Sequence, residues 1–166
     1  ARVPPPRLHR GATNWPEIYR LAIVENRDRN RMIAARARKW VKSGRSVLVL
    51  VAHVAHGRAL LELLPEARFA YGALDSSRRR RYLKDLERKL HPLMIATTLA
   101  DEGLDVPSLG GLILAGGGKS QTRAFQRIGR ALRPAPGKRV AWVLDFIDQA
   151  PYLRDHSEAR LALYRQ

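Results

Sequence analysis

The 166-residue chain contains no cysteine, which excludes disulfides, thiolate nucleophiles and Cys-ligated zinc. It has no apolar run near the ~20 residues that a membrane-spanning helix needs. Its first residues, ARVPPPRLHRG, lack the apolar core of a secretory signal. A soluble, intracellular protein of the cytoplasm or nucleoid, with no membrane partner, is the expectation. Acidic residues are scarce, 15 Asp and Glu against 31 Lys and Arg, so the formal net charge is +16. Such an excess calls for a polyanionic partner, nucleic acid ahead of an anionic membrane surface. Arginine supplies 25 of the 31 basic residues. A GC-rich coding bias accounts for Arg over Lys, but not for the shortage of acids. With 45% hydrophobic residues, the chain can bury one sizeable core and not two, which makes one globular domain the expectation.

Residues 1–13, with Pro4, Pro5 and Pro6 among basic residues, read as an extended lead-in or linker, and the fold is expected to run from Asn14 to residue 166. Asn14 can cap a helix with Pro16 and Glu17 in its first turn. That helix extends to about Ser43, with a break near Asn26 and an apolar stripe of Ile33, Ala34, Ala37, Trp40 and Val41. Short apolar runs then alternate with amphipathic segments. Strands are expected over Val47 to Val51, Arg68 to Tyr71, Leu93 to Thr97, Gly111 to Ala115 and Arg139 to Asp145. Helices are expected over Val54 to Leu64, Ser76 to Leu90, Ser120 to Leu132 and Pro151 to Arg165. Strands without polar alternation, separated by helices, predict an α/β fold. Its mostly parallel central sheet has about five strands covered on both faces. Such sheets bind ligands at the carboxyl ends of their strands, here the loops after Val51, Tyr71, Thr97, Ala115 and Asp145.

Gly116, Gly117, Gly118, Lys119 and Ser120 follow a strand and open a helix, where a phosphate-binding P-loop would sit. The spacing disagrees. The required first glycine would stand at position 113, which is Ile113 inside the strand, and Gly111 is two residues too early. Val140 to Asp145 has the apolar-run-plus-Asp shape of a Walker B strand, but without its partner loop it reads as another core strand.

Two segments carry more specific chemistry. In Leu93 to Pro107, LMIATTLADEGLDVP, a buried strand delivers Thr97 and Thr98 to its carboxyl end, and Gly103 and Asp105 follow. Hydroxyls there can bond a phosphate oxygen, and the carboxylate can accept from a ribose; the plain alternative is a loop with a capped turn. In Gln126 to Pro134, Gln126, Arg130 and Arg133 fall at i, i+4 and i+7. At ~100° per residue they share a face opposite Phe125, Ile128 and Leu132. Paired guanidinium forks suit a polyphosphate, whereas an ordinary basic surface helix is the plain alternative. The run Arg78, Arg79, Arg80, Arg81 is weaker, since charge runs on helices are most often solvated faces.

Together these segments resemble the second, C-terminal RecA-like domain of superfamily 2 helicases and translocases. Ile95 to Pro107 looks like their motif V and Gln126 to Pro134 like their motif VI. Val47 to Val51 followed by His56-Gly57 is similar to the motif IV region, and Tyr71-Gly72 before a basic helix to the next block. The Gly-Lys-Ser before motif VI fits a linker that the family has there. Glu102-Gly103-Leu104-Asp105 and Gln-x-x-Gly-Arg-x-x-Arg-Pro resemble the DNA-repair, restriction and phage-type branch. DEAD-box RNA helicases carry Thr-Asp at Thr97-Thr98, Arg-Gly at Glu102-Gly103 and His at Gln126 instead. The resemblance implies a three-layer RecA-like fold and DNA as the partner, with RNA an alternative.

It further implies that ATP sits between this domain and a first RecA-like domain that supplies the P-loop lysine and the Mg²⁺ ligands. Arg130 and Arg133 would stabilise charge on the transferring phosphoryl group. Gly103, Asp105 and Gln126 would line the ATP site, while Gly72, Thr97, Lys119 and Ser120 would contact the nucleic-acid backbone. This chain carries no Walker A and no Asp-Glu box, so alone it is expected to turn over no ATP. The competing readings are a non-catalytic nucleic-acid-binding module and a self-sufficient P-loop enzyme.

Overall fold

Asn14 opens the first helix as expected, its side-chain oxygen accepting from the Glu17 N–H at 3.0 Å. This computed structural model describes residues 1–3, 14–97, 109–118 and 140–163. Helix α1 (Trp15–Tyr19) passes into a π-helical turn, Arg20–Val24, closed by the Glu25 N–H on the Arg20 carbonyl at 2.8 Å. Helix α2 (Arg27–Lys42) is capped afresh by Asn26, whose Oδ1 accepts from the Arg29 N–H at 3.1 Å. The break near Asn26 is therefore a second cap. Gly44, at φ +81°, ends α2 in the left-handed conformation that a side chain resists.

Strands β1 (Ser46–Val51), β2 (Arg68–Ala70), β3 (Leu93–Thr97), β4 (Leu109–Leu114) and β5 (Trp142–Asp145) alternate with α3 (Val54–Leu63) and α4 (Ser76–Glu87). Helix α5 (Leu153–Leu163) closes the described chain. The five strands form one all-parallel sheet in the order β2-β3-β1-β4-β5. Period-two alternation sends Val47, Val49, Val51, Ile95 and Ile113 to one face, against Ile33, Ala37 and Trp40 of α2 and Leu60 of α3. Leu48, Leu50, Met94, Ala96, Leu112 and Leu114 go to the other, against Leu86 of α4. A third cluster, Ile18, Tyr19, Ala22, Ile23, Ala150 and Leu153, ties α1 and the π turn to α5.

The boundaries differ from the sequence reading where local geometry intervenes. β4 starts at Leu109 rather than Gly111, because its register against β1 shifts between Ser46 and Val47. Gly110 takes up the extra position, and Leu109 packs with the α4 side. α4 stops at Glu87, not Leu90, because Lys89 adopts φ +59° and the Leu90 and His91 N–H groups turn back onto the Asp85 carbonyl. α5 starts at Leu153, not Pro151. Tyr152 has φ +62°, and the Leu153 N–H bonds the Pro151 carbonyl at 2.7 Å, closing a γ-turn. The expected helix 120–132, and Arg139 at the start of β5, lie outside the described residues. Ala1 to Val3 run beside the end of β5: Ile147 N–H bonds the Ala1 carbonyl at 2.7 Å, and Val3 N–H bonds the Ile147 carbonyl at 3.2 Å. Among the described residues, no helix is long and apolar enough to cross a membrane.

Candidate functional site

Because all five strands are parallel, their carboxyl ends fall on one edge. In sheet order it carries Tyr71 and Gly72, Thr97, Ala52 and His53, Ala115 to Gly118, and Phe146 to Asp148. The β4 end is densely built. Ala115 still belongs to the ladder through its N–H on the Leu50 carbonyl at 2.8 Å, after which Gly117 (φ +62°) and Gly118 (φ +74°) turn the chain. Arg29 of α2, fully buried, donates through Nη1 to the Ala115 carbonyl at 2.6 Å and through Nε to Asp148 Oδ1 at 2.9 Å. Its guanidinium lies over the Phe146 ring at 4.6 Å. Arg160 of α5, also buried, takes both Asp145 oxygens at 2.7 and 3.2 Å, the Phe146 carbonyl at 3.1 Å and the Gly118 carbonyl at 3.1 Å. The Tyr19 hydroxyl donates to the Gly116 carbonyl, and burial pushes that hydroxyl's pKa up, so it stays protonated.

A second buried pair stands behind this edge. Asn30 Nδ2 donates to the Val24 carbonyl at 2.8 Å, which leaves Asn30 Oδ1 as the acceptor facing His56 Nε2 at 2.9 Å. His56 therefore carries its proton on Nε2. Burial first, then the nearby Arg29 and His53 charges, hold it neutral with a pKa well below the ordinary histidine value.

Of the residues the sequence singled out, Gly72 and Thr97 are described, on the ends of the neighbouring strands β2 and β3. Thr97 is only 2% exposed, and its hydroxyl has no hydrogen-bond partner among the described residues. Gly72 is exposed, and its carbonyl accepts from Arg79 at 3.2 Å. Arg79 also reaches the Leu74 carbonyl at 3.0 Å, so the four-arginine run divides: Arg79 folds back onto its own loop, while Arg78, Arg80 and Arg81 stay exposed. Gly103, Asp105, Lys119, Ser120, Gln126, Arg130 and Arg133 lie outside the described residues. Asp145, the last residue of the Walker B-shaped run, is the ion-pair partner of Arg160.

Sequence reasoning missed Arg29, Asp148 and Arg160. Arg29 had a signal: it stands four residues before Ile33 and eight before Ala37, on the stripe that α2 buries.

The model of the helicase conserved C-terminal domain matches residues 29–135, the larger part of the chain. The chain belongs to the helicase conserved C-terminal domain family. It is similar to the ATP-dependent DNA helicase uvsW of Enterobacteria phage T4, 31% identical over 128 residues, covering 74% of this chain and 25% of that protein. It is also similar to the ATP-dependent RNA helicase dbp10 of Aspergillus clavatus, 32% identical over 143 residues, covering 82% of this chain and 15% of that protein. The crystal structure of T4 UvsW superposes with a TM-score of 0.73 at 26% identity, over 94% of this chain and 35% of that one. The C-terminal domain of the DEAD-box protein Dbp5 shares the fold, with a TM-score of 0.63 at 17% identity over 83% of this chain and 78% of that one. The chain spans between 15% and 25% of the length of the curated relatives it matches. The RecA-like fold expected from the sequence is thus the fold observed, and the helicase C-terminal resemblance is a family membership.

Proposed function

We propose that this chain is the second motor lobe of an ATP-driven DNA helicase or translocase, acting with a first RecA-like lobe. The observation that carries the reading is the family match over residues 29–135. It spans both the motif V and the motif VI segments and joins them to a parallel sheet of the right order.

In this reading Arg130 and Arg133 lie against the terminal phosphates of ATP, where a planar fork stabilises developing charge better than a lysine would. Asp105 takes the ribose, Gly103 leaves room for the nucleotide, and Gln126 couples the phosphates to the facing lobe. Thr97, Gly72, Lys119 and Ser120 contact the nucleic-acid backbone. Of the carboxylates at the described end of the edge, Asp145 gives both oxygens to Arg160, while Asp148 gives Oδ1 to Arg29 and keeps Oδ2 buried. As the family resemblance implies, the Mg²⁺ that neutralises the phosphates is assigned to ligands on the first lobe. DNA is favoured over RNA by the Glu102-Gly103 and Gln126 signatures.

The test is ATP turnover by a polypeptide bearing both lobes. Arg130→Ala or Arg133→Ala should cost ~10³-fold or more, with fold and ATP affinity little changed, while Arg127→Ala serves as the control. DNA affinity should fall steeply with salt and show little sequence preference. Parental turnover by a folded Arg130→Ala protein would overturn the motif VI assignment.

A further inference from the structure

Three buried side chains from three separate helices converge on the carbonyls of a single four-residue loop. Arg29 of α2 holds Ala115, Tyr19 of α1 holds Gly116, and Arg160 of α5 holds Gly118. Each anchor is itself fixed. Asp148 and the Phe146 ring grip Arg29; Asp145, the Phe146 carbonyl and Ser157 grip Arg160; and the Tyr19 ring stands edge-on to His53 at 4.9 Å. Gly117, the residue between the anchors, has φ +62°. A Cβ there would meet Ile23 Cδ1 at 3.0 Å and Asp148 Oδ2 at 3.5 Å, so these two side chains pack close beside the loop.

A Gly-Gly-Gly turn left to itself is the least ordered connection a chain can make. Burying two guanidiniums and a phenol to immobilise one is costly, and a simple turn after a strand does not require it. The segment downstream of the loop gives the immobilisation a purpose: eight residues after Gly118 the motif VI segment begins at Gln126, and with it come Arg130 and Arg133.

We propose that Tyr19, Arg29 and Arg160 are positioning residues that fix the take-off point of the motif VI segment, setting where its arginines meet the phosphates of ATP. This rests on the reading of Arg130 and Arg133 given above. The three anchors act through the Ala115 to Gly118 backbone, whose carbonyls they hold. Because Arg160 sits on α5 and Tyr19 on α1, the two ends of the described domain both bear on that backbone.

The test is steady-state ATP turnover by the polypeptide bearing both lobes, with Arg130→Ala measured in parallel. Tyr19→Phe removes a single oxygen and keeps the ring contacts. It should lower kcat about ten-fold, short of the ~10²-fold that a 1 Å misplacement can cost, while KM for ATP and DNA affinity stay within about two-fold. Arg160→Lys keeps the charge, but one ammonium cannot span Asp145, the Phe146 carbonyl and the Gly118 carbonyl, so its loss of kcat should be larger. A purely structural role would lower the thermal midpoint and leave kcat of the folded enzyme at the parental value, and that result would overturn the proposal. If Arg160→Lys fails to fold, Tyr19→Phe decides alone. Loss of turnover in Arg130→Ala beside parental kcat in both anchor variants would sink only this inference; parental turnover in Arg130→Ala would sink the motif VI reading beneath it.

Discussion

Replacing Arg29 by Met tests how much of the fold's stability depends on one buried ion pair. Arg29 is fully buried and Asp148 3% exposed, so the substitution strands a carboxylate in the interior without its counter-charge. Breaking a buried pair from one side costs about 3–5 kcal/mol. The same change removes the hydrogen bond to the Ala115 carbonyl and the contact with the Phe146 ring. It also relieves the desolvation of the guanidinium, and methionine refills most of the stem volume. A net loss of about 4 kcal/mol is the expectation, a large share of the 5–15 kcal/mol typical of a domain, with a fall in Tm of about 8–16 °C. Urea unfolding followed by circular dichroism reads it directly. Arg38→Met, which breaks a half-exposed pair with Glu66, is the contrast and should cost under about 1 kcal/mol. Adding Asp148→Asn to Arg29→Met should recover at least about 1 kcal/mol, because the stranded charge is gone. A cost below about 1 kcal/mol for Arg29→Met, with an unchanged m-value, would refute the reasoning, since the pair would then contribute no more than a surface one.

Two other outcomes concern the core. His56 is neutral when folded and binds a proton more readily when unfolded, so stability should fall as pH drops below about 6.5, by up to about 1.4 kcal/mol per unit; His56→Gln should flatten that slope in urea midpoints taken at pH 7, 6 and 5, and equal slopes would contradict it. Gly111→Ala would set a Cβ 2.6 Å from Trp40 Cε3, against a ring that is itself packed on the sheet, and should cost about 1–3 kcal/mol in the same assay, with partial recovery in Trp40→Leu.

The sheet was legible because its strands are apolar on both faces, so β1 and β3 stand out as unbroken runs bounded by polar residues. Helix ends set by Lys89 and Tyr152 were not legible. Both adopt positive φ without being glycine, and no local residue announces it. At the site, Thr97 was found at its strand end, but its near-complete burial depends on neighbours that a one-dimensional reading does not see. Arg29 and Arg160 stayed hidden for a compositional reason. In a chain with 25 arginines, the two that turn inward look like the rest, and Arg29's partner lies 119 residues away.

The sheet order also has a consequence for how the domain is made. β1, with all six residues buried in the finished fold, lies at the centre of the sheet yet is the first of the described strands in chain order. Both of its ladder partners come later, β3 beginning at Leu93 and β4 at Leu109. At ribosomal speeds of about 5–20 residues per second, β1 waits about two to eight seconds for β3 to be synthesised, and longer for β4. For that interval an uncharged, valine- and leucine-rich segment keeps both edges open, and α2 and then α3 can cover only one of its faces. The strand that organises the finished sheet is therefore also an aggregation hazard while its edges wait for partners.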